Sequence, residues 1–333
     1  MTLRLGLFGL HGDFPAIVAA TRRAEALGID AVLFGEHHGA PQNRFPALLN
    51  LLSAVAASTS TIRLGTSVLL SALNNPVRIA EEAAQVDVIA NGRLILGLGL
   101  GYQPEDFQHF GVPFAQRRSR FEEGVEVIRR AWSERPFSFH GRRFQFESVS
   151  VYPAPVQQPR PEIWLAGWTL PGVRRAARLG DAWVTDPIQT LSGLQAMGHV
   201  YAEACLEAGT RPRTVLMREI LIARSRAEAL EAYGEGILAT YRYYWRNGAF
   251  NMEWDDWARA ITAPEQMTLE DALRERVIVG SPDECAAQVR AWAEATNADY
   301  VQLVIPARRG EASTNHEAID LIGREVLPAL QRP

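Results

Sequence analysis

The sequence predicts a (β/α)8 barrel, the TIM-barrel fold, with two insertions. Two observations lead to this fold class: continuously apolar segments, typical of strands in a parallel sheet, alternate with amphipathic helical segments, and eight such strands can be counted. A doubly wound open sheet is the competing architecture. No linker rich in Pro, Gly and Ser divides the chain, so residues 1–333 are interpreted as one domain, with insertions near 102–160 and 241–280.

The first hundred residues repeat one pattern of strand and helix. Asp13 is a candidate N-cap of the first helix, and Gly28 and Gly92 are expected to end the first and third helices. Hydrophobic periodicity predicts strands at 3–9, 30–36, 61–70 and 93–99, and helices at 13–28, 46–59 and 76–92.

The second half resumes the pattern around longer connections. A helix at 117–132 and a hairpin-like segment at 137–152 fall inside the first insertion. The remaining strands are predicted at 162–167, 181–186, 214–223 and 299–306, and the remaining helices near 171–179, 190–208, 225–245, 282–295 and 315–329.

Composition excludes several classes of protein. A net charge of −4 offers no basic surface for nucleic acid or acidic lipid. The two cysteines, Cys205 and Cys285, are too far apart in sequence for a CxxC motif. No apolar run reaches the roughly 18 residues that span a membrane. The N-terminal 15 residues resemble a signal peptide only loosely, because no clean cleavage site follows them, so we expect a cytoplasmic protein.

Titratable side chains follow the second predicted strand directly, in "FGEHHG" at 34–39. In a barrel of this kind the carboxyl ends of the strands carry the chemistry. Metal binding is one interpretation, but neighbouring residues of a strand point to opposite faces, which separates Glu36 from His37. Hydrogen bonding at the barrel rim is a second. We expect the third, a catalytic or cofactor-binding role, and predict no metal site.

Two glycine-containing strand ends are further candidates. "LGLGLGYQ" at 96–103 ends the fourth strand, and its glycines either leave space for a flat ring or relieve a crowded barrel corner. After the next strand, backbone amides around Gly167, Trp168 and Thr169 either bind an anion at a helix start or form an ordinary turn.

Together these segments resemble the bacterial luciferase-like flavin-dependent monooxygenases over nearly the whole chain. The resemblance rests on "FGEHHG", on "LGTSVLLSALNNPVR" at 64–78 and on "GRLILGLGLGYQPEDFQHFG" at 92–111, in this order and spacing. It implies a (β/α)8 barrel with insertions that binds reduced FMN and activates oxygen.

The resemblance also implies roles for individual residues. His37 matches the family's catalytic imidazole, and Glu36, beside the flavin, is expected to orient it. For the phosphate-binding arginine of the family, Arg120 is the matched position, and Arg117 is an alternative because the alignment weakens there. At the remaining matched positions the family binds its cofactor: Ser67 and Val68 form a non-prolyl cis peptide against the middle ring of the flavin, Gly99 faces the flavin, Arg120 binds its phosphate, and Gly167, Trp168 and Thr169 form the phosphate turn.

Two positions depart from the pattern of luciferase itself. Leu100 stands where luciferase has another phosphate-contacting arginine, and Gly167-Trp168 stands in place of Glu-Ser in the phosphate turn. Phosphate binding is therefore expected to depend more on backbone amides, and a long-chain aldehyde substrate does not follow from the resemblance.

The resulting hypothesis is an FMN-dependent monooxygenase that oxygenates a small hydrophobic organic substrate. No nicotinamide motif is present, so a separate flavin reductase is expected to supply the reduced FMN. Two alternatives remain: a deazaflavin-dependent hydride-transfer enzyme on the same barrel, and a non-catalytic flavin-binding protein.

Two further expectations concern surfaces. Surplus apolar residues on the helices at 46–59 and 76–90, together with the family's habit of pairing through them, predict a homodimer. The aromatic-rich segment 241–266 either packs on the barrel wall or forms a mobile lid and substrate wall with a hinge at Asn247-Gly248.

Overall fold

Twelve strands form in the part of the chain that the computed structural model describes, residues 3–39, 45–250, 252, 254–307 and 316–331. They are β1 (Arg4–Phe8), β2 (Ala31–Phe34), β3 (Arg63–Thr66), β4 (Leu69–Leu70), β5 (Leu94–Gly99), β6 (Phe137–His140), β7 (Gln145–Val149), β8 (Glu162–Ala166), β9 (Ala182–Val184), β10 (Thr214–Ile222), β11 (Ile278–Gly280) and β12 (Ala298–Val304).

Eight of these strands close a parallel barrel, which confirms the predicted fold class. Hydrogen-bonded neighbours follow the order β1, β2, β3, β5, β8, β9, β10 and β12, and β12 pairs with β1 again. These eight are the strands expected from the sequence. The short strands β4 and β11 extend the sheet beside β5 and β10, and β6 and β7 form a separate antiparallel hairpin.

Helices cover the barrel from outside. Asp13 caps the first of them as predicted, because its carboxylate accepts a hydrogen bond from the N–H of Ala16 at 2.9 Å. The helices are α1 (Phe14–Ala26), α2 (Leu48–Ala56), α3 (Pro76–Ile89), α4 (Pro104–His109), α5 (Arg117–Ser133), α6 (Leu170–Leu179), α7 (Leu191–Ala208), α8 (Arg226–Arg246), α9 (Asp256–Arg259), α10 (Leu269–Leu273), α11 (Pro282–Ala295), α12 (His316–Leu321) and α13 (Leu327–Gln331), the last two joined by a π-helical turn at Ile322–Val326.

The two excess regions have structure of their own. The first contains α4, α5 and the β6–β7 hairpin, and the second begins in the last turns of α8 and includes α9, α10 and β11. Residues 251 and 253 of the second region lie outside the described residues.

Charged side chains meet where the barrel strands begin. Glu162 lies 2.9 Å from both Arg63 and Arg213, and Arg213 also reaches Asp299 at 3.2 Å. Above this layer the interior is apolar, with Trp164 packed edge-on against Tyr300 at 5.0 Å. The amino-terminal mouth is therefore closed by ion pairs.

The apolar residues of α2 are used inside this chain. Leu48, Leu49, Leu51, Leu52 and Val55 are all buried in the single chain, so α2 has no apolar surplus left for a second copy. The surplus expected from the sequence is reduced to Val88 and Ile89 on α3, which are 42% and 40% exposed. In the described part of the chain, no helix is both long and apolar enough to cross a membrane.

Candidate active site

The residues after β2 form the centre of the carboxyl-terminal mouth. Glu36 is buried, and both of its carboxylate oxygens are engaged: Oε1 lies 2.9 Å from Nε2 of His38, and Oε2 accepts the N–H of Leu70. The hydrogen bond that His38 donates to the Glu36 carboxylate raises the pKa of His38, although burial acts against it. The expectation that Glu36 orients His37 is therefore wrong, because the carboxylate binds the next imidazole instead.

His37 stays accessible to solvent at the mouth but is crowded by protein atoms. This loss of surrounding water lowers the pKa of His37, and the negative charges of Asp106 and Glu36 oppose the shift only in part. Since its ordinary pKa is 6.5, the imidazole is neutral at pH 7 and can accept a proton.

Asp106 is a member of this cluster that the sequence analysis missed. It lies on α4 with only 3% of its surface exposed, and burial raises its pKa while the neighbouring imidazoles of His38, His37 and His109 act in the opposite direction. Its segment, "QPEDFQHFG", was used only for the family resemblance. The missed signal was an acidic residue a few positions beyond a strand end that carries chemistry.

The peptide bond between Ser67 and Val68 is cis, as the resemblance implied. Neighbouring segments hold it from two sides. The N–H of Ser67 donates to the carbonyl of Phe34 at 2.7 Å, and the N–H of Glu36 donates to the carbonyl of Val68 at 3.2 Å. The Ser67 hydroxyl donates across the barrel to Oε1 of Gln302 at 3.1 Å. We call residues 66–70 the cis-peptide segment.

Glycines of β5 allow this segment to approach closely. A Cβ atom at Gly97 would lie 2.0 Å from the carbonyl oxygen of Thr66, and one at Gly99 would lie 2.2 Å from the side chain of Val68. These distances support the crowded-corner interpretation for the two glycines. A contact between Gly99 and a cofactor remains a prediction.

The turn after β8 leads into α6 and leaves backbone donors free. Thr169 caps the helix, its hydroxyl accepting the N–H of Gly172 at 3.4 Å. The N–H groups of Trp168 and Thr169 donate no hydrogen bond to any described residue. The indole of Trp168 packs against Tyr102 with 4.9 Å between ring centres. An aromatic pair and two unused donors thus lie together at the mouth.

Arg120 and Arg117 point to different places. Arg120 donates from Nε to the carbonyl of Ala72 at 2.8 Å, directly beyond the cis-peptide segment, and lies 4.9 Å above the ring of Phe144. Arg117 lies over the ring of Phe114 at 3.8 Å. Arg120 is thus the arginine held beside the mouth.

A second group of buried charges lies within β10 and just after β9, and the sequence did not indicate it. Burial raises the pKa of Glu219 to about 7 and that of Asp186 to about 6, against the opposing charge of Arg218. Glu219 accepts a hydrogen bond from the hydroxyl of Tyr241 at 3.1 Å. Arg218 donates to the backbone carbonyl of Gln189 at 2.9 Å. Burial thus makes both acids keep their protons to a higher pH than an exposed carboxyl would.

The aromatic segment binds to loops of the mouth. The hydroxyl of Tyr243 accepts a hydrogen bond from Gln103 at 2.8 Å, and the indole N–H of Trp254 donates to Gln189 at 2.6 Å. Phe250 packs on Trp257 at 4.9 Å. These contacts fit the interpretation in which the rings pack the segment onto the barrel, while its mobility remains a prediction.

Metal ligation has no candidate among the residues described. No group of three or more His, Cys, Asp or Glu side chains within residues 3–39, 45–250, 252, 254–307 and 316–331 is placed to hold an ion. The site is organised around imidazoles, buried carboxyls, backbone amides and arginine.

Comparison with known proteins identifies the family of the chain and relatives that cover most of its length. A family model described as luciferase-like monooxygenase matches residues 6–299. The chain is similar to the oxygenase component of a flavin-dependent trigonelline monooxygenase from Acinetobacter baylyi, 26% identical over 283 residues, covering 81% of this chain and 77% of that protein. It is also 30% identical over 292 residues to an F420-dependent glucose-6-phosphate dehydrogenase from Kineococcus radiotolerans, covering 82% of each.

A solved structure matches over the full length. The oxygenating constituent of 3,6-diketocamphane monooxygenase from Pseudomonas putida, in complex with FMN, superimposes with a TM-score of 0.82, covering 100% of both chains at 22% identity. At this identity the likeness shows the fold alone.

Proposed function

The chain belongs to the luciferase-like monooxygenase family, and on this premise we propose that it is an FMN-dependent monooxygenase that oxygenates a small hydrophobic organic substrate with O2. The observation that carries the proposal is the position of the His37 imidazole at the carboxyl-terminal mouth, next to Glu36, whose backbone N–H donates to the carbonyl of Val68 at 3.2 Å. The relatives include flavin-dependent monooxygenases and F420-dependent enzymes, so the identity of the cofactor is itself part of the proposal.

The residues at the mouth fit a flavin with a terminal phosphate. Val68 would support the ring system, and the free N–H groups of Trp168 and Thr169 with the guanidinium of Arg120 would hold the phosphate. When bound, reduced FMN supplies the electrons and the atom at which O2 is activated. The terminal amino groups of Arg120 make no hydrogen bond within the described part of the chain and so remain available.

His37 would move the proton. As a neutral base it accepts a proton at an imidazole nitrogen and returns it as the oxygenation proceeds, which requires a pKa near or below the working pH. Asp106 stabilises the imidazolium that forms, since it is a carboxyl within Coulomb range of His37. Glu36 acts on the neighbouring segment, by holding His38 and the N–H of Leu70.

Aromatic rings would exclude water from the reaction. Tyr102 and Trp168 form one wall, and Tyr243 is tied to Gln103 above it. An apolar, planar substrate fits such a wall, and a dry site suppresses wasteful release of hydrogen peroxide.

The proposal includes partners. A separate flavin reductase delivers reduced FMN, because the sequence has no nicotinamide-binding motif. The homodimer expected from the family is kept, with Val88 and Ile89 of α3 as the exposed apolar residues available for it. The cytoplasmic location expected from the sequence is kept as well.

One alternative has a specific observation in its favour. The F420-dependent dehydrogenase that is 30% identical to this chain supports hydride transfer from a deazaflavin on the same barrel. Hydride transfer needs no O2, so the two functions differ in a measurable way.

Anaerobic titration with reduced FMN and with reduced F420 tests the proposal. We expect micromolar binding of reduced FMN and rapid oxidation of the bound flavin when O2 is admitted. Binding of F420 alone, with no FMN binding at 100 μM, would establish the alternative. A protein that binds FMN but leaves it inert toward O2 with a panel of hydrophobic substrates would be a flavin-binding protein.

A further inference from the structure

The turn of the β6–β7 hairpin is clamped onto α5. The carboxylate of Glu123 accepts the backbone N–H groups of Arg142, Arg143 and Phe144 at 3.1, 2.7 and 3.1 Å. A Cβ atom at Gly141 would lie 2.3 Å from this carboxylate, so the turn approaches α5 as closely as glycine allows. The hairpin of the first insertion is thereby held at one place on the helix.

This clamp brings a second arginine to the face of α5 that carries Arg120. Nε of Arg143 donates to the hydroxyl of Ser119 at 2.7 Å. The guanidinium of Arg120 lies over Phe144, the residue after Arg143. Because Arg120 also binds the carbonyl of Ala72, both arginines lie on the side of the barrel where the cis-peptide segment emerges.

The two guanidinium groups have no carboxylate partner. Neither Arg120 nor Arg143 forms an ion pair with a described residue, and only the Nε atoms of the two side chains make hydrogen bonds there. Burial, and then the positive charge of Arg143, lowers the pKa of Arg120. The charge of Glu123 opposes this shift in part, but its carboxylate accepts the backbone N–H groups of the turn and forms no ion pair with either guanidinium. On the next helix the situation differs, since Arg175 binds Glu122 at 2.8 Å. Two neighbouring guanidinium groups without an ion-pair partner are suited to bind an anion.

We propose that Arg120 and Arg143 together bind the phosphate dianion of the mononucleotide cofactor, with Arg143 supplied by the hairpin of the insertion. This inference rests on the proposed function and adds a residue to it. Leu100 stands where the resemblance would place a second phosphate-contacting arginine, and the hairpin restores that charge from another element. Two guanidinium groups match the two negative charges of a terminal phosphate better than the single charge of a phosphodiester.

Comparison of FMN with riboflavin isolates the phosphate. Arg143→Ala is expected to weaken binding of FMN by about 10- to 100-fold and to leave binding of riboflavin within twofold, the scale of a charge-assisted hydrogen bond. Arg120→Ala should behave in the same way. Arg142→Ala is the matched control, because Arg142 is the exposed neighbour on the same turn, and it should change neither affinity. Arg143→Lys should restore part of the loss.

Several outcomes would overturn the assignment. Equal losses for FMN and riboflavin in Arg143→Ala would mean that the arginine maintains the fold of the hairpin. Equal affinities of the wild-type protein for FMN and riboflavin would show that the protein binds flavin but has no subsite for the phosphate. If the wild type binds neither flavin, the proposed function fails. Binding of inorganic phosphate then tests separately whether the two arginines form an anion site. A rise in melting temperature with phosphate in the wild type but not in Arg143→Ala supports an anion site, and no rise in either rejects it.

Discussion

The two mouths of the barrel treat charge in opposite ways. At the amino-terminal mouth, Arg63 and Arg213 approach Glu162 so closely that they lower its pKa to about 2, although burial acts against them. At the carboxyl-terminal mouth, burial dominates and raises the pKa of Glu219 to about 7 and that of Asp186 to about 6. No described residue forms an ion pair with either of these two acids.

This difference separates stability from function. The carboxylate of Glu162 is ionised at neutral pH and stabilises the fold. At the carboxyl-terminal mouth burial opposes ionisation of Glu219 and Asp186, so ionising them as the pH rises reduces stability. Perturbed, unpaired groups at the carboxyl ends of barrel strands are typical of active sites. This difference supports the proposal that the chemistry takes place at the carboxyl-terminal mouth. Four substitutions test it.

The largest effect is expected at the carboxyl-terminal mouth, from His37→Ala. Product formation should fall about 100-fold or more, the usual contribution of general acid–base catalysis, while the affinity for FMN stays within roughly tenfold. Hydrogen peroxide should be released instead of product. In the wild type, kcat/KM should decrease on acidification with a midpoint below pH 6.5, since the pKa of His37 is lowered from that value. Wild-type coupling of oxygen use to product in the variant would show that the imidazole is structural.

At the amino-terminal mouth, the corresponding test is Glu162→Gln. We expect a loss of about 2 kcal/mol in the free energy of unfolding at pH 7, since two partly buried arginines lose one carboxylate partner while Asp30 and Asp299 remain beside them. Because the folded pKa of Glu162 lies below its unfolded value, its stabilising effect is present above about pH 4.5 and is lost as the pH falls toward 2.

Urea unfolding of both proteins at pH 7 and pH 3 measures the effect. The kcat of Glu162→Gln should stay within twofold of the wild type. A large loss of kcat without loss of stability would reverse the assignment of the two mouths.

Glu219→Gln should act with the opposite sign on stability. Because the folded pKa of Glu219 is raised, its neutral form contributes its full stability below about pH 4.5. This contribution is lost as the pH rises through about 7. The amide cannot ionise and still accepts the Tyr241 hydroxyl. We expect a gain of about 1–2 kcal/mol at pH 8 and no gain at pH 4.5. A variant that is less stable at pH 8 would show that Glu219 is an ionised, stabilising group.

Tyr243→Phe should have the smallest effect. It removes the hydrogen bond from Gln103 that joins the end of α8 to the loop after β5, worth about 0.5–1 kcal/mol. Amide exchange at the end of α8 should become about two- to fivefold faster, with a similar rise in hydrogen peroxide release. Tyr152→Phe, at an exposed tyrosine on another segment, is the control. Exchange at the end of α8 as slow as in the barrel strands, in both the wild type and Tyr243→Phe, would exclude a mobile lid.

The sequence alone determined the periodic elements and the places where strands end. All eight barrel strands and the cap at Asp13 were predictable, because strand and helix periodicity and capping depend on residues within a few positions. The rim position of Glu36 and His37 followed from the strand ends. The cis peptide between Ser67 and Val68 followed from the family resemblance.

Only the tertiary structure decided which of these groups meet and in what state of charge. Glu36 binds the N–H of Leu70 across 34 positions, and Arg63 meets Glu162 across 99. The acids at 106, 186 and 219 became candidates only when their burial was known. A pKa depends on surrounding water and on partners brought from distant segments, and local periodicity contains neither. The burial of the α2 leucines within one chain is a consequence of the same kind.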